Sequence, residues 1–252
     1  MLREAAQKLI DPDPGFRYRG TEAGRLENFS DAVFGMAITL LLISSTPPAN
    51  FDELKRFTYE LFPFLACITL IVLIWYEHFI FFLRYGLRNG RMIALNTLFL
   101  VIILFYVYPL KFLTTVLLVG PLAYLTNNVD LLNQIKSMIH ARDIGDLMII
   151  YGIGATSVFL VMALMYRYAM TKAQDLDLNV LEQFDTRMSM ISNLLMAAVP
   201  FASLILAIIL RDSFLAGPVA GFTYFLYTPL MFGFHGWVNK RRKLLVSRSA
   251  GQ

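Results

Sequence analysis

From Arg25 to Asp31 the chain reads Arg-Leu-Glu-Asn-Phe-Ser-Asp, which sets a cation, an aromatic ring, a hydroxyl and a carboxylate close together. The stretch after Asp31 is apolar, and no charge appears again until Asp52. An ionisable group at the edge of hydrocarbon is costly, so Asp31 needs a hydrogen-bonding partner or a wet cavity. Arg25 is poorly placed for that within one helix, because six residues at 100° each set the two side chains about 240° apart. They point to different neighbours, which makes this segment a hub. Partners lie further along the chain: the indole N–H of Trp75, the titratable Glu77 and His78, and the amide of Asn96. Two kinds of chemistry are open to this set. One is a fixed hydrogen-bond network between helices, and the other is a proton relay through Asp31 and His78.

The elements that carry these residues are set by composition. Of 252 residues 57% are hydrophobic and only 16% charged, where a soluble domain has nearer a quarter. The apolar residues fall in long blocks, so the expectation is an all-α, polytopic membrane protein. The single Cys67 excludes an internal disulfide and a cysteine-rich metal site. Six spanning segments are expected: 25–46, 56–83, 91–111, 145–170, 188–210 and 214–238. Gly217-Pro218 and Pro229 should bend the last one. Residues 112–146 read as an outer connector with some short helix. Residues 1–24 read as a polar arm, either a surface helix with Leu2, Ala5, Ala6, Leu9 and Ile10 on one face or a tail without structure; no cleavable leader is expected there. Three regions result: the arm 1–24, a membrane domain 25–239, and a basic tail 240–252.

Sixteen of the 22 lysines and arginines fall on the side shared by both termini, so both ends are expected in the cytoplasm and the chain in the cell membrane. The run Lys240-Arg-Arg-Lys243 is placed to meet anionic headgroups. The net charge of +4 sits in short loops and tails and reflects topology, not nucleic-acid binding.

Counted inward from the cytoplasmic ends, Asp31, His78, Asn96, Ser192, Asn193 and His235 lie at one depth, about 8–9 Å inside. Polar groups at a shared level can bond one another, as groups in hydrocarbon must. The expected network centres on Ser30, Asp31, His78 and Asn96, with Trp75 as a donor; the alternative is a set of unrelated residues facing headgroup water. Along the first span Met36, Leu40 and Ile43 recur at four and three and share a face, which Phe29 and Val33 extend. By itself such a stripe is ordinary core packing. Asn28, Ala32, Gly35 and Thr39 form a second, small-residue stripe that allows close helix approach.

The Arg25-x-x-x-Phe29-Ser30-Asp31 motif, with Ala-Ile-Thr-Leu-Leu-Leu after it, resembles the transmembrane protein 175 family of potassium channels in its prokaryotic form. Trp75 and His78 in the second span and Asn96 early in the third extend the resemblance. It implies a homotetramer, since the motif occurs once. It also implies a central pore lined by the first helix of each subunit, with no P-loop filter. The narrowing side chains are then Met36, Leu40 and Ile43, with a ring of Thr39 hydroxyls beside them. Met36 departs from the usual branched or leucine side chain and is more flexible. The permeant species is potassium; no cofactor, metal or catalytic residue is implied.

A proton-coupled or cation carrier using Asp31 and His78 is the competing function. No inverted repeat with helices broken at mid-membrane supports it. An intramembrane enzyme is weaker still, because the chain has no H-E-x-x-H or G-x-S-x-G motif and no paired intramembrane aspartates.

Overall fold

Asparagine starts four of the helices. Asn50, Asn89, Asn128 and Asn179 each accept a backbone N–H from three residues ahead, at 2.9–3.2 Å. Such caps satisfy donors that the first helical turn leaves free. The computed structural model describes residues 15–43, 48–140, 143–211, 213 and 215–249, so the proposed face on Leu2–Ile10 lies outside the described residues. In chain order the helices are α1 (Arg25–Ile43), α2 (Phe51–Tyr85), α3 (Gly90–Leu125), α4 (Val129–Met138), α5 (Ile144–Thr171) and α6 (Val180–Ile209). Then come α7 (Ala216–Phe222), a 3-10 turn over Thr223–Leu226, and α8 (Tyr227–Ser249). The described residues contain no strand.

Five of these, α1, α2, α3, α5 and α6, are long and apolar enough to cross a membrane. The expected sixth span is divided instead into α7, the 3-10 turn and α8. Pro229, which cannot donate a backbone bond, stands three residues after that turn. α8 does not stop at Val238; it carries Lys240–Lys243 on as helix.

α2 and α3 are 35 and 36 residues long, about 52–54 Å at 1.5 Å per residue. That exceeds the ~30 Å hydrocarbon thickness. α3 runs fourteen residues past Lys111, where the third span was expected to end, and most of the first half of the expected outer connector is helix. Pro109 lies inside α3 without ending it. Four residues on, the Leu113 N–H donates to the Tyr151 hydroxyl of α5 at 2.9 Å, a bond from α3 to its neighbour.

The helices form a row. α1 lies against α2 and α3, α3 against α5, α5 against α6, and α6 against α7 and α8. The main core joins Phe34 and Leu41 of α1 to Phe81, Phe99, Met165 and Tyr166. α5 and α6 approach closely at Gly152, where a Cβ would stand 2.6 Å from Leu204 Cβ. Gly86 ends α2 with φ 57°, the left-handed region that glycine occupies without cost.

Candidate functional site

α1 has two unlike sides. Its packed side carries Ser30, Val33, Phe34, Ala37 and Leu41, all buried. Val33 therefore belongs to the core and does not extend the Met36 stripe, as its spacing suggested. At the foot of this side a directed chain of hydrogen bonds crosses three helices. Ser30 Oγ donates to the Leu26 carbonyl at 2.8 Å. Asn96 Nδ2 of α3 donates to Ser30 Oγ at 2.9 Å. The Asn96 oxygen is left to accept, and His78 Nε2 of α2 lies 2.7 Å from it. The partners thus assign the proton to Nε2. The imidazole is 2% exposed and stacks on Phe99 at 5.3 Å, with Phe34 at 5.7 Å.

Asp31 stands apart from that chain. Its carboxylate accepts the Trp75 indole N–H at 2.8 Å, and Trp75 stacks on Phe79. No hydrogen bond joins Asp31 to His78 among the described residues. The other residues at the same depth stay out as well. Asn193 Nδ2 donates to the Ser189 carbonyl of its own helix, and His235 Nδ1 bonds the Met231 carbonyl. Depth was shared, but direction around the helix was not.

Arg25 and Phe29 also take no part. Arg25 is exposed, with no hydrogen bond or ion pair among the described residues. The cation that ties the start of α1 down is Arg88, whose guanidinium meets Glu27 at 3.3 Å and the Glu22 carbonyl. At the other end of α1, Lys111 Nζ donates to the Leu41 carbonyl at 3.2 Å. That places a cation at a helix C-terminus, where the dipole favours it.

The opposite side of α1 is bare. Phe29, Met36 and Ile43 are 61%, 61% and 71% exposed, and Leu40 is half-buried. Asn28, Ala32, Gly35 and Thr39 beside them are exposed too, and nothing lies within 4 Å of a Cβ built on Gly35. Thr39 Oγ1 donates to the Gly35 carbonyl at 2.9 Å. Its hydrogen is therefore turned to the backbone and its lone pairs outward, the orientation a cation requires.

A region that sequence reasoning missed holds the foot of α1 in place. The segment before α1 crosses the ends of α2 and α6. Arg19 N and Gly20 N donate to the Arg84 and Leu83 carbonyls, which the end of α2 leaves free. Arg17 N and the Arg19 guanidinium converge on the buried carboxylate of Glu182, at 2.8 and 2.9 Å. Glu182 also closes a capping box with Asn179. Phe16 is buried beneath Arg84, 5.1 Å from ring centre to guanidinium. The one readable signal was Asn179-x-x-Glu182, a helix start eight residues ahead of the expected span.

Three comparisons bear on this arrangement. The sequence profile described as "Endosomal/lysosomal potassium channel TMEM175" matches residues 25–106, which hold α1, α2 and the Asn96 end of α3. A protein of Marivirga tractuosa named "Potassium channel" is 42% identical over 248 residues, covering 97% of this chain and 99% of its own. A crystal structure of a variant of the potassium channel MtTMEM175, in complex with a nanobody–MBP fusion, superposes with a TM-score of 0.80 at 41% identity. It covers 90% of this chain and 98% of that one.

Proposed function

The chain belongs to the TMEM175 family of potassium channels, and on that premise we propose that it conducts potassium through a pore lined by α1. Four subunits form the pore by turning the bare side of α1 to a common axis, and no P-loop filter takes part. The family is one of channels, and channels are not enzymes.

The observation that carries this reading is the contrast across α1. One side is buried and hydrogen-bonded, while Phe29, Met36, Thr39 and Ile43 find no cover among the described residues of their own subunit. A narrow ring of Met36, Leu40 and Ile43 strips part of an ion's water. Potassium holds its water less tightly than sodium, so the ring penalises sodium more, and the outward lone pairs of Thr39 lower the cost of passage. The expected selectivity is real but modest.

The membrane assignment extends this reading. Residues 25–239 form the membrane domain, with α7, the turn and α8 as a sixth crossing. The arm 1–24 and residues 240–252 face the cytoplasm, and the channel resides in the cell membrane with its basic end at anionic headgroups.

The bond chain at the foot of α1 counts against a proton-coupled carrier. Its middle member is an amide, which donates and accepts but does not hand on a proton. Asp31 and His78 are tied to different partners. Purified protein in proteoliposomes separates the readings. A channel dissipates a potassium gradient alone, with electrical behaviour like that of valinomycin. A requirement for a counter-substrate or a pH gradient overturns the proposal. So does a purified protein that is only monomeric, since one helix cannot enclose a path.

A further inference from the structure

Helix α8 is held from one side only. Among the described residues it packs on α6 and on the 3-10 turn. Its rotation is set by Arg242, whose guanidinium grips the Asp185 carboxylate of α6 at 3.0 and 3.1 Å. This pair divides the basic run. Arg242 faces inward, while Arg241 lies over the Trp237 ring at 5.7 Å and is exposed.

On the side of Arg241, Leu230, Gly233 and Trp237 recur at three and four, so they line one strip of the helix. Nothing lies within 4 Å of a Cβ built on Gly233, which leaves a notch between Leu230 and Trp237. Beside Arg241 a cavity of about 310 Å³ opens between α6 and α8, lined also by Phe184, Leu244 and Leu245.

We propose that this face of α8 binds one anionic phospholipid per subunit. The phosphate rests on Arg241 with Lys240 beside it, the ester region lies against Trp237, and an acyl chain runs over the Gly233 notch and Leu230. The order along the helix matches the order along a lipid: apolar strip, amphipathic aromatic ring, then cation. A soluble anion has no use for the strip, and an uncharged lipid has none for the two cations. The site rests on the membrane assignment made above, with this end of α8 at a headgroup layer.

Native mass spectrometry of the purified oligomer, titrated with phosphatidylglycerol or phosphatidylcholine, tests it. Phosphatidylglycerol is expected to be retained up to one molecule per subunit, in preference to phosphatidylcholine. Arg241→Gln should cut that retention about fivefold, the share of one basic residue at an anionic surface. Gly233→Leu, which fills the notch, should cut it as well. In both, the oligomeric mass and the unfolding midpoint should stay unchanged. Lys136→Gln, exposed on α4 and away from α8, should retain lipid as before. Equal retention of the two lipids overturns the site, as does undiminished retention in Arg241→Gln and Gly233→Leu. A change in oligomeric mass in either variant assigns the face to a neighbouring subunit and overturns it too. Lipid retention is read without ion flux, so failure of the channel reading and failure of this site are told apart.

Discussion

The two sides of α1 share nineteen residues and one backbone, yet they are finished to different degrees. On the packed side every polar group has a partner: Ser30 is bonded twice, and Asn96 links it to His78. On the other side an aromatic ring, a thioether and branched apolar chains are left uncovered beside a glycine that touches nothing. The subunit folds on one face of this helix and holds the other in reserve. Stability and permeation should therefore respond to different substitutions.

The strongest test of that separation is Asn96→Ala. It leaves His78 Nε2 buried without an acceptor, at a cost of about 1–3 kcal/mol, and takes from Ser30 Oγ one of its two bonds. A large fall in the unfolding midpoint and in the yield of folded protein is expected; a variant as stable as the parent would remove the bonded chain from the account. Next comes Gly35→Leu, on the bare side. It should leave the subunit folded but abolish the oligomer in size-exclusion chromatography with light scattering. If it unfolds the subunit instead, the two sides are not independent.

Thr39→Ala and Leu40→Ala should keep both stability and oligomer, and shift the potassium-to-sodium permeability ratio in bilayer recordings. Unaltered permeation in both would end the case for this face as the conduction path. The smallest effect separates two replacements of Asp31. Asp31→Ala removes the acceptor for Trp75 and should cost about 1 kcal/mol. Asp31→Asn keeps an acceptor oxygen and should cost little in the same thermal unfolding assay. Equal losses would mean that the charge of Asp31, not its bond to Trp75, matters.

Much of the foot of α1 is legible in the sequence because depth can be counted. Ser30, His78 and Asn96 each stand five or six residues from a charged helix end, and the structure bonds them. Azimuth cannot be counted in the same way without knowing the neighbours. Asn193 and His235 sit at the right level and face the wrong direction. Arg25 has the right charge, but Arg88, 61 residues from Glu27, does the pairing. Long-range pairs leave no local trace, and Arg17 with Glu182 is 165 residues apart. The end of α3 is just as hard to place from local sequence. Lys111 reads as the end of a span, yet α3 runs on to Leu125, and its extra length is held by α4 through Leu131 against Val119 and Ala123.

The helices differ in length, and this shapes the approach to α1. Lys111 marks the level where α1 ends, and α3 continues for fourteen residues, about 21 Å, past it. α2 overshoots similarly, since Cys67 meets Thr114 just past that level, and α4 braces the overshoot through Leu131 against Val119 and Ala123. Among the described residues α1 thus stops short, while α2 and α3 stand past it together. On that overshoot α2 and α4 flank an open pocket lined by Asp52, Lys55 and Asp130, so both signs of charge meet solvent beyond the level where α1 stops.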